Sequence, residues 1–341
     1  MKQILVTGGT GYIGSHTAVE LQNAGYEVIV VDNLSNSTLE VLDGIEKITG
    51  IRPAFEQFDL IDNGKVDAFF NKYPNIEAII HFAAFKAVGE SVAKPLMYYR
   101  NNLVSLINLL DAMDRYSVSG MVFSSSCTVY GQPESLPVTE EAPILKANSP
   151  YGNTKQVCEE IIQDTLVACP KLNAIALRYF NPVGAHPSAL IGELPLGVPQ
   201  NLVPFITQTA AGLRQQLSIF GNDYNTPDGT AIRDYIHVVD LAKAHVVAVS
   251  RLVEKKTKKQ FEVFNLGTGN GLTVLDVVKS FEKVSGQKLN YKIVDRRPGD
   301  VEKVYADTTF ANEELGWKAE SSLDDILASA WKWEKKIRGK A

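Results

Sequence analysis

Through the first half of the chain, apolar residues gather in short runs. Each run is followed by a stretch in which they recur at helical spacing. The runs QILVT, EVIVVD, AFEQFDL, EAIIHFAA, GMVFSSS and NAIALRYFN read as six strands. Between them lie segments such as PLMYYRNNLVSLINLLDAMDRY, where Leu103, Leu106, Ile107 and Leu110 share one helical face. Strands apolar on both faces, alternating with helices, predict a parallel sheet covered on both sides. The expected fold class is therefore α/β, a Rossmann-type doubly wound parallel sheet.

After about residue 181 the texture changes. The stretch NPVGAHPSALIGELPLGVPQN is rich in Pro and Gly and carries little periodicity. Two later stretches, LTVLDVVKSFEKVSG and SSLDDILASAWKWEKK, read as helices, and the second opens on Ser and Asp at capping positions. We expect a dinucleotide-binding domain over 1–181 and a smaller C-terminal α/β substrate lobe over 182–341. Segments around 233–250 are expected to return to the first domain.

Composition narrows the classes. The chain has 341 residues, 45% hydrophobic and 21% charged, with a formal net charge of -5. Those values are ordinary for a globular protein. No large cluster of one sign argues for nucleic acid or an acidic membrane surface. The basic run EKKTKK, 254–259, lies between apolar segments and reads as a solvated loop. Three cysteines, Cys127, Cys158 and Cys169, form neither a disulfide framework nor a zinc pattern, so a reducing cytoplasm is expected. The first strand begins almost at once, so no signal peptide is expected. No apolar run approaches the roughly 20 residues of a membrane span.

Candidate chemistry begins at TGGTGYIGS, between the first strand and the first helix. Gly8, Gly11 and Gly14 form G-x-x-G-x-x-G, and Gly9 adds a G-x-G-x-x-G register. Glycine lets a pyrophosphate approach the backbone, and the helix N-terminus offers it free N–H groups. Asp32 closes the second strand at the spacing of the acid that binds an adenosine ribose. A carboxylate there would repel a 2′-phosphate, and no Arg or Lys follows in VDNLSNST, so NAD is expected rather than NADP. Asp59 either meets the adenine amino group or caps a loop.

A second candidate is SPYGNTKQVCEE, which sets Tyr151 and Lys155 four residues apart where a helix opens at Pro150. The helix follows the fifth strand. That strand ends in Ser124, Ser125 and Ser126, at the sheet edge where ligands of such folds bind.

These motifs resemble the extended short-chain dehydrogenase/reductase family and, within it, the UDP-galactose (UDP-glucose) 4-epimerases. The resemblance runs nearly end to end, through TGGTGYIGSHT, VVDNLSNS, HFAAFKAVGESV, YRNN, FSSSCTVYG, SPYGNTK, RYFNPVGAHPS, GNDYNTPDGTAIRDYIHV, FNLGTGNG and RRPGD. It implies a UDP-sugar substrate, bound NAD and a homodimer formed through helices near 95–115 and 150–168. It also implies that Tyr151 acts as base on the sugar 4-hydroxyl, with Lys155 and the nicotinamide favouring the phenolate, while Ser126 bonds the 4-oxygen. Hydride would leave C4, the 4-keto sugar would turn over, and hydride would return to the other face.

The cofactor site implied by the resemblance adds Tyr12, Ile13, Asn33, Asn36, Ser37, Leu60, Phe82, Ala83, Ala84, Lys86, Asn101, Ser124 and Phe180. The nucleotide-sugar site would use Lys86, Asn181, Asn201, Leu202, Phe220, Arg233, Arg297, Asp300 and Val304. Guanidinium groups suit diphosphate oxygens because they pair in two bonds. No metal is expected, and His186 and His237 read as structural.

The nearest rival is a nucleotide-sugar 4,6-dehydratase, whose extra acid and base would stand where this chain has Cys127 and Thr128. The other is a non-catalytic NAD-binding sensor. Epimerases resembling the glucose/galactose-only type carry a tyrosine where Val304 stands here. The smaller side chain implies room for an N-acetyl group, unless Val304 is plain core or Tyr305 fills the space.

Overall fold

A computed structural model describes residues 1–297 and 301–339. The first half of the chain alternates β1 (Gln3–Thr7), α1 (Tyr12–Asn23), β2 (Glu27–Asp32), α2 (Glu40–Thr49), β3 (Ala54–Gln57), α3 (Asn63–Lys72) and β4 (Ile76–His81). It continues with α4 (Val88–Ala93), α5 (Pro95–Arg115), β5 (Gly120–Ser124), α6 (Pro150–Ala168) and β6 (Asn173–Tyr179). The remainder holds β7 (Asn181–Val183), α7 (Leu202–Ala210), β8 (Leu217–Phe220), β9 (Ile232–Arg233), β10 (Tyr235–His237), α8 (Val238–Val253) and β11 (Phe261–Leu266). It ends with β12 (Leu272–Thr273), α9 (Val274–Ser285), β13 (Tyr291–Val294), β14 (Lys303–Val304) and α10 (Leu323–Ile337).

The main sheet is parallel throughout, in the order β11-β6-β5-β4-β1-β2-β3. Strand alternation explains the unbroken apolar runs. Ile4 and Val6 face one side with Val30, Ile80 and Val122, under Ala18 and Leu21 of α1 and Leu241 and Ala244 of α8. Leu5 faces the other side with Ile29, Ile79 and Met121, under Leu106 and Leu109 of α5 and Ile162 of α6. Both faces of the central strands are buried, so most of their positions are apolar and a polar one needs a partner, as Thr7 Oγ1 and His81 Nδ1 show at 2.8 Å.

The six strands read from the sequence are present, and a seventh, β11, joins them at the edge beside β6. Glu262 breaks the apolar run of β11, yet it is buried, because Arg251 of α8 meets it with Nε at 2.6 Å and Nη2 at 2.9 Å. The basic run before β11 is solvent-facing, with Lys258 Nζ 2.5 Å from Glu314. A separate core joins α7, β8, β10, α9 and α10 around Ile206, Ile219, Phe281 and Leu327. Trp331 packs edge-on against Phe281 there, at 5.7 Å between ring centroids. Among the described residues, no helix is long and apolar enough to cross a membrane.

Candidate active site

The glycine turn links β1 to α1. Gly8 has φ +69°, and a Cβ there would lie 2.8 Å from Ala83 N. A Cβ on Gly14 would strike the Gly8 carbonyl oxygen and lie 2.8 Å from Gly9 Cα. Both contacts are with backbone, so no side chain can yield. Helix α1 opens at Tyr12 with no side-chain cap on its first N–H groups. Uncapped donors behind a glycine turn suit a diphosphate. Tyr12 Oη donates to Gly184 O at 2.6 Å, and Ile13 packs on the core.

Beyond β2, the Asp32 carboxylate accepts from Leu34 N at 2.9 Å, Thr10 N at 3.3 Å and Ser37 Oγ at 3.3 Å. Asn33 Nδ2 donates to Asp59 Oδ2 at 3.0 Å, while Asp59 Oδ1 caps its own loop at Ile61 N. Loop capping is thus visible for Asp59, and the bond to Asn33 brings it beside Asp32. Asn36 is exposed near this group, and Leu60 is buried. Phe82, Ala83 and Ala84 follow β4. Phe82 N donates to Thr7 O at 3.1 Å and Ala83 N to Thr7 Oγ1 at 3.4 Å, which lays this segment against the glycine turn. Asn101 Nδ2 reaches Asn102 Oδ1 at 3.0 Å, and Asn102 in turn donates to Thr154 of α6. The donor set and its cradle fit an NAD-type dinucleotide.

Helix α6 starts with Pro150 in its first turn and Ser149 as N-cap. This fixes Tyr151 and Lys155 on the face toward β5. Lys155 Nζ donates to Ser124 O at 2.5 Å and lies 6.0 Å from the Tyr151 ring centroid. Ser124 Oγ bonds Tyr179 Oη, and Ser126 Oγ accepts from Thr128 N at 3.2 Å while lying close enough to Tyr151 to act on its phenol. Burial pushes the Tyr151 phenol up to about 12, against the lowering effect of Ser126. The Lys155 ammonium is thus committed to the Ser124 carbonyl, beside the phenol and not bonded to it.

Burial also pulls the Lys155 ammonium down to about 8 from its ordinary 10.5. Between these values the unfolded chain binds more protons than the folded one, so this group makes stability rise with pH. Across that window, wild type should gain on the order of 3 kcal/mol relative to Lys155→Met. Denaturant titrations of both proteins at a series of pH values test this, and a flat difference would refute it.

Most candidates for a nucleotide-sugar site lie on or beside β7, α7, β8, β9 and β14. Asn181 donates to Asp234 O through both its N–H and Nδ2, each at 3.0 Å. Asn201 is the N-cap residue of α7, and its Nδ2 donates to Glu193 Oε1 at 2.8 Å. The same carboxylate lies 3.5 Å from Lys86 Nζ. Leu202 opens α7 and is partly buried. Arg233 Nη1 donates to Ile232 O at 2.8 Å. Arg297 stacks on Phe220 at 3.9 Å, which orients its guanidinium plane. Asp300 lies outside the described residues. Val304 is 8% exposed and packs with Val129, Tyr130 and Phe180. The Tyr305 ring lies over Gly271. His186 and His237 serve local structure: His237 Nδ1 accepts from Val239 N at 3.0 Å, and His186 bonds Ser188. Among the described residues, no group of side chains suits a metal ion.

Three buried charged residues here were not singled out in the sequence. Asp234 accepts from Thr268 N at 2.8 Å, Gly269 N at 3.1 Å and Ala306 N at 3.2 Å, tying the loop after β11 to the segment after β14. Its only local signal is its place beside Arg233. Glu159 and Arg178 form a buried ion pair behind the serines. Glu159 continues the Tyr151–Lys155 spacing by one more turn.

A parallel sheet with a glycine turn, an acid after its second strand, and a Tyr–Lys pair beside a serine define a dinucleotide-dependent enzyme of the extended short-chain dehydrogenase/reductase class. Residues 5–330 match the family described as GDP-mannose 4,6 dehydratase. UDP-glucose 4-epimerase of Bacillus subtilis (strain 168) is 53% identical over 97% of this chain and 96% of its own. The Homo sapiens UDP-glucose 4-epimerase is 49% identical over 98% and 97%. In structure, the chain is similar to UDP-glucose 4-epimerase from Bifidobacterium longum in complex with NAD+ and UDP, with TM-score 0.94 and 48% identity, covering 99% and 100%. It is also similar to the Stenotrophomonas maltophila enzyme with bound NAD and formylated UDP-arabinopyranose, with TM-score 0.96 and 46% identity over the whole of both chains. This chain belongs to the UDP-glucose 4-epimerase family.

Proposed function

We propose that this protein interconverts UDP-glucose and UDP-galactose by inverting C4 of the hexose, with NAD as a bound cofactor. The observation that carries this is the meeting of Tyr151, Lys155 and Ser126 beside the glycine turn, in a chain about 50% identical to named epimerases along its length. Gly8, Gly11, Gly14 and the first turn of α1 hold the cofactor diphosphate, and Asp32 accepts the adenosine ribose hydroxyls. When bound, the dinucleotide supplies hydride chemistry at C4, removing hydrogen from one face and returning it to the other through a 4-keto sugar. Tyr151 Oη takes and returns the 4-hydroxyl proton, and Ser126 Oγ hydrogen-bonds the 4-oxygen. Lys155 holds positive charge near the phenol, and favours its ionised form once a sugar hydroxyl donates to it. Arg233 and Arg297 pair with the UDP diphosphate.

The dehydratase alternative lacks its acid and base, because Cys127 and Thr128 follow Ser126. We read residues 1–181 as the cofactor half and 182–341 as the nucleotide-sugar half, with segments around 233–250 returning to the first. A homodimer through α5 and α6 agrees with exposed apolar side chains on that side, such as Leu96 and Val167. Three free cysteines favour a reducing cytoplasm.

The test is turnover of purified protein on UDP-galactose without added cofactor. Conversion without net NADH supports the proposal, and no conversion with NAD still bound favours the sensor. We further propose that Val304 leaves room for UDP-N-acetylhexosamines. Val304→Tyr should then lower turnover of UDP-GalNAc relative to UDP-galactose by roughly 10–200-fold, the range a pocket contact supplies. An unchanged ratio would remove Val304 from the pocket.

A further inference from the structure

Ser124, Ser125 and Ser126 leave β5 in succession, and α6 meets each with a different turn. Lys155 Nζ donates to Ser124 O, Ser125 Oγ donates to Glu159 Oε1 at 2.5 Å, and Tyr151 stands near Ser126. Tyr151, Lys155 and Glu159 are spaced by four, so they form one stripe on the helix. The first two are candidates for the chemistry, and the third has no contact with solvent to explain it. Glu159 is held from behind by Arg178 of β6, with Nε at 3.0 Å from Oε1 and Nη2 at 2.5 Å from Oε2. Arg178 Nη1 donates to Tyr130 Oη at 3.0 Å, and Tyr130 donates to Asn265 Oδ1 of β11 at 2.7 Å. Ser125, Glu159, Arg178, Tyr130 and Asn265 are all buried.

A buried ion pair is weak evidence of stabilisation, because apolar residues of the same volume often serve as well. It does impose geometry, since both charges must be fully bonded or the cost is high. Ser125 also donates its N–H to Leu177 O of β6 at 3.0 Å, so its backbone is fixed from the sheet and its side chain from the helix.

We propose that Glu159 is a positioning residue for the epimerase reaction: through Ser125 it sets the height of the serine segment against α6, so that Ser126 Oγ meets the Tyr151 phenol and the sugar 4-oxygen together. This rests on the 4-epimerase reading above. The ion pair with Arg178 keeps the carboxylate in place, and the Tyr130–Asn265 chain extends the brace to the edge strand.

The experiment uses the NAD-loaded full chain and UDP-galactose, normal and deuterated at C4. Ser125→Ala removes one hydroxyl and should lower kcat by about tenfold, and Glu159→Gln by about a hundredfold, with KM and bound NAD within about twofold of wild type. The double variant should be no slower than Glu159→Gln alone, because both substitutions act through the one contact between residues 125 and 159. The isotope effect on kcat should rise in both single variants, since a misplaced serine slows the chemical step. A mere loss of folded protein would leave the isotope effect unchanged. A crystal structure of Ser125→Ala should show the Ser126–Tyr151 contact broken with the Glu159–Arg178 pair intact.

Wild-type kcat and isotope effect in Ser125→Ala would overturn the inference while wild-type turnover leaves the epimerase reading standing. So would an intact Ser126–Tyr151 contact in the variant crystal. If Glu159→Gln fails to fold, Ser125→Ala still decides the matter. If the wild-type protein does not turn over UDP-galactose, both readings fall.

Discussion

Tyr151→Phe should lose roughly 10³-fold in kcat on UDP-galactose while keeping its NAD and its fold. The substitution deletes one oxygen and leaves the ring, whose centroid lies 6.0 Å from Lys155 Nζ. The lost group is the phenol that stands near Ser126. Ser126 and Lys155 cannot replace it. A hydroxyl has too high a pKa to take the proton alone, and the ammonium is turned toward Ser124 O, to which it donates. Binding should change little, because the phenol is one contact among many along the UDP-sugar. Steady-state turnover and the 260/280 nm absorbance ratio for bound cofactor measure the two halves of the expectation. Near-normal turnover would mean the proton leaves by another route, and loss of NAD would mean the tyrosine serves binding.

Gly14→Ala should strip the protein of its dinucleotide and destabilise it by about 1–3 kcal/mol. The added methyl would press on the Gly8 carbonyl oxygen and lie 2.8 Å from Gly9 Cα. Both belong to the turn that α1 rests on, so relief requires the helix to withdraw from the turn. Withdrawal moves the uncapped N–H groups that should face the diphosphate. Gly64→Ala is the fitting control, since its Cβ in the first turn of α3 would meet only Asp62 Oδ1 at 3.4 Å. Denaturant melts of both variants, with cofactor content by absorbance, separate a local effect from a general intolerance of alanine. Retention of NAD in Gly14→Ala would place the diphosphate elsewhere.

The features readable in the sequence were those contained within one element or one turn. The central strands announced themselves because both faces of the sheet are covered there, which leaves apolar residues at most positions. The glycine turn and the Tyr–Lys pair depend only on spacing along a short stretch. Strand β11 escaped because Glu262 interrupts it, and the arginine that allows a carboxylate to be buried there comes from α8. Glu159, Arg178 and Asp234 escaped for the same reason. Each looks like a surface charge until its partner arrives from another element, as Arg178 does for Glu159 from nineteen residues away. The roles given to Arg233 and Arg297 could not be separated from surface ion pairs by spacing at all. They entered through family resemblance, and the stacking of Arg297 on Phe220 is the physical feature that sets it apart.

The edge position of β11 has a bearing on how the chain matures during synthesis. The seventh strand and the helix that covers the inner face of the sheet are made after residue 237, well behind the strands they complete. A ribosome that has released only the first 181 residues exposes a nascent sheet with the β6 edge unpaired and the apolar side chains beneath α8 uncovered. Such an edge invites pairing with other chains. The two halves are therefore not independent folding units in the order they emerge. The seven-stranded sheet can close only once the chain has been made as far as Leu266.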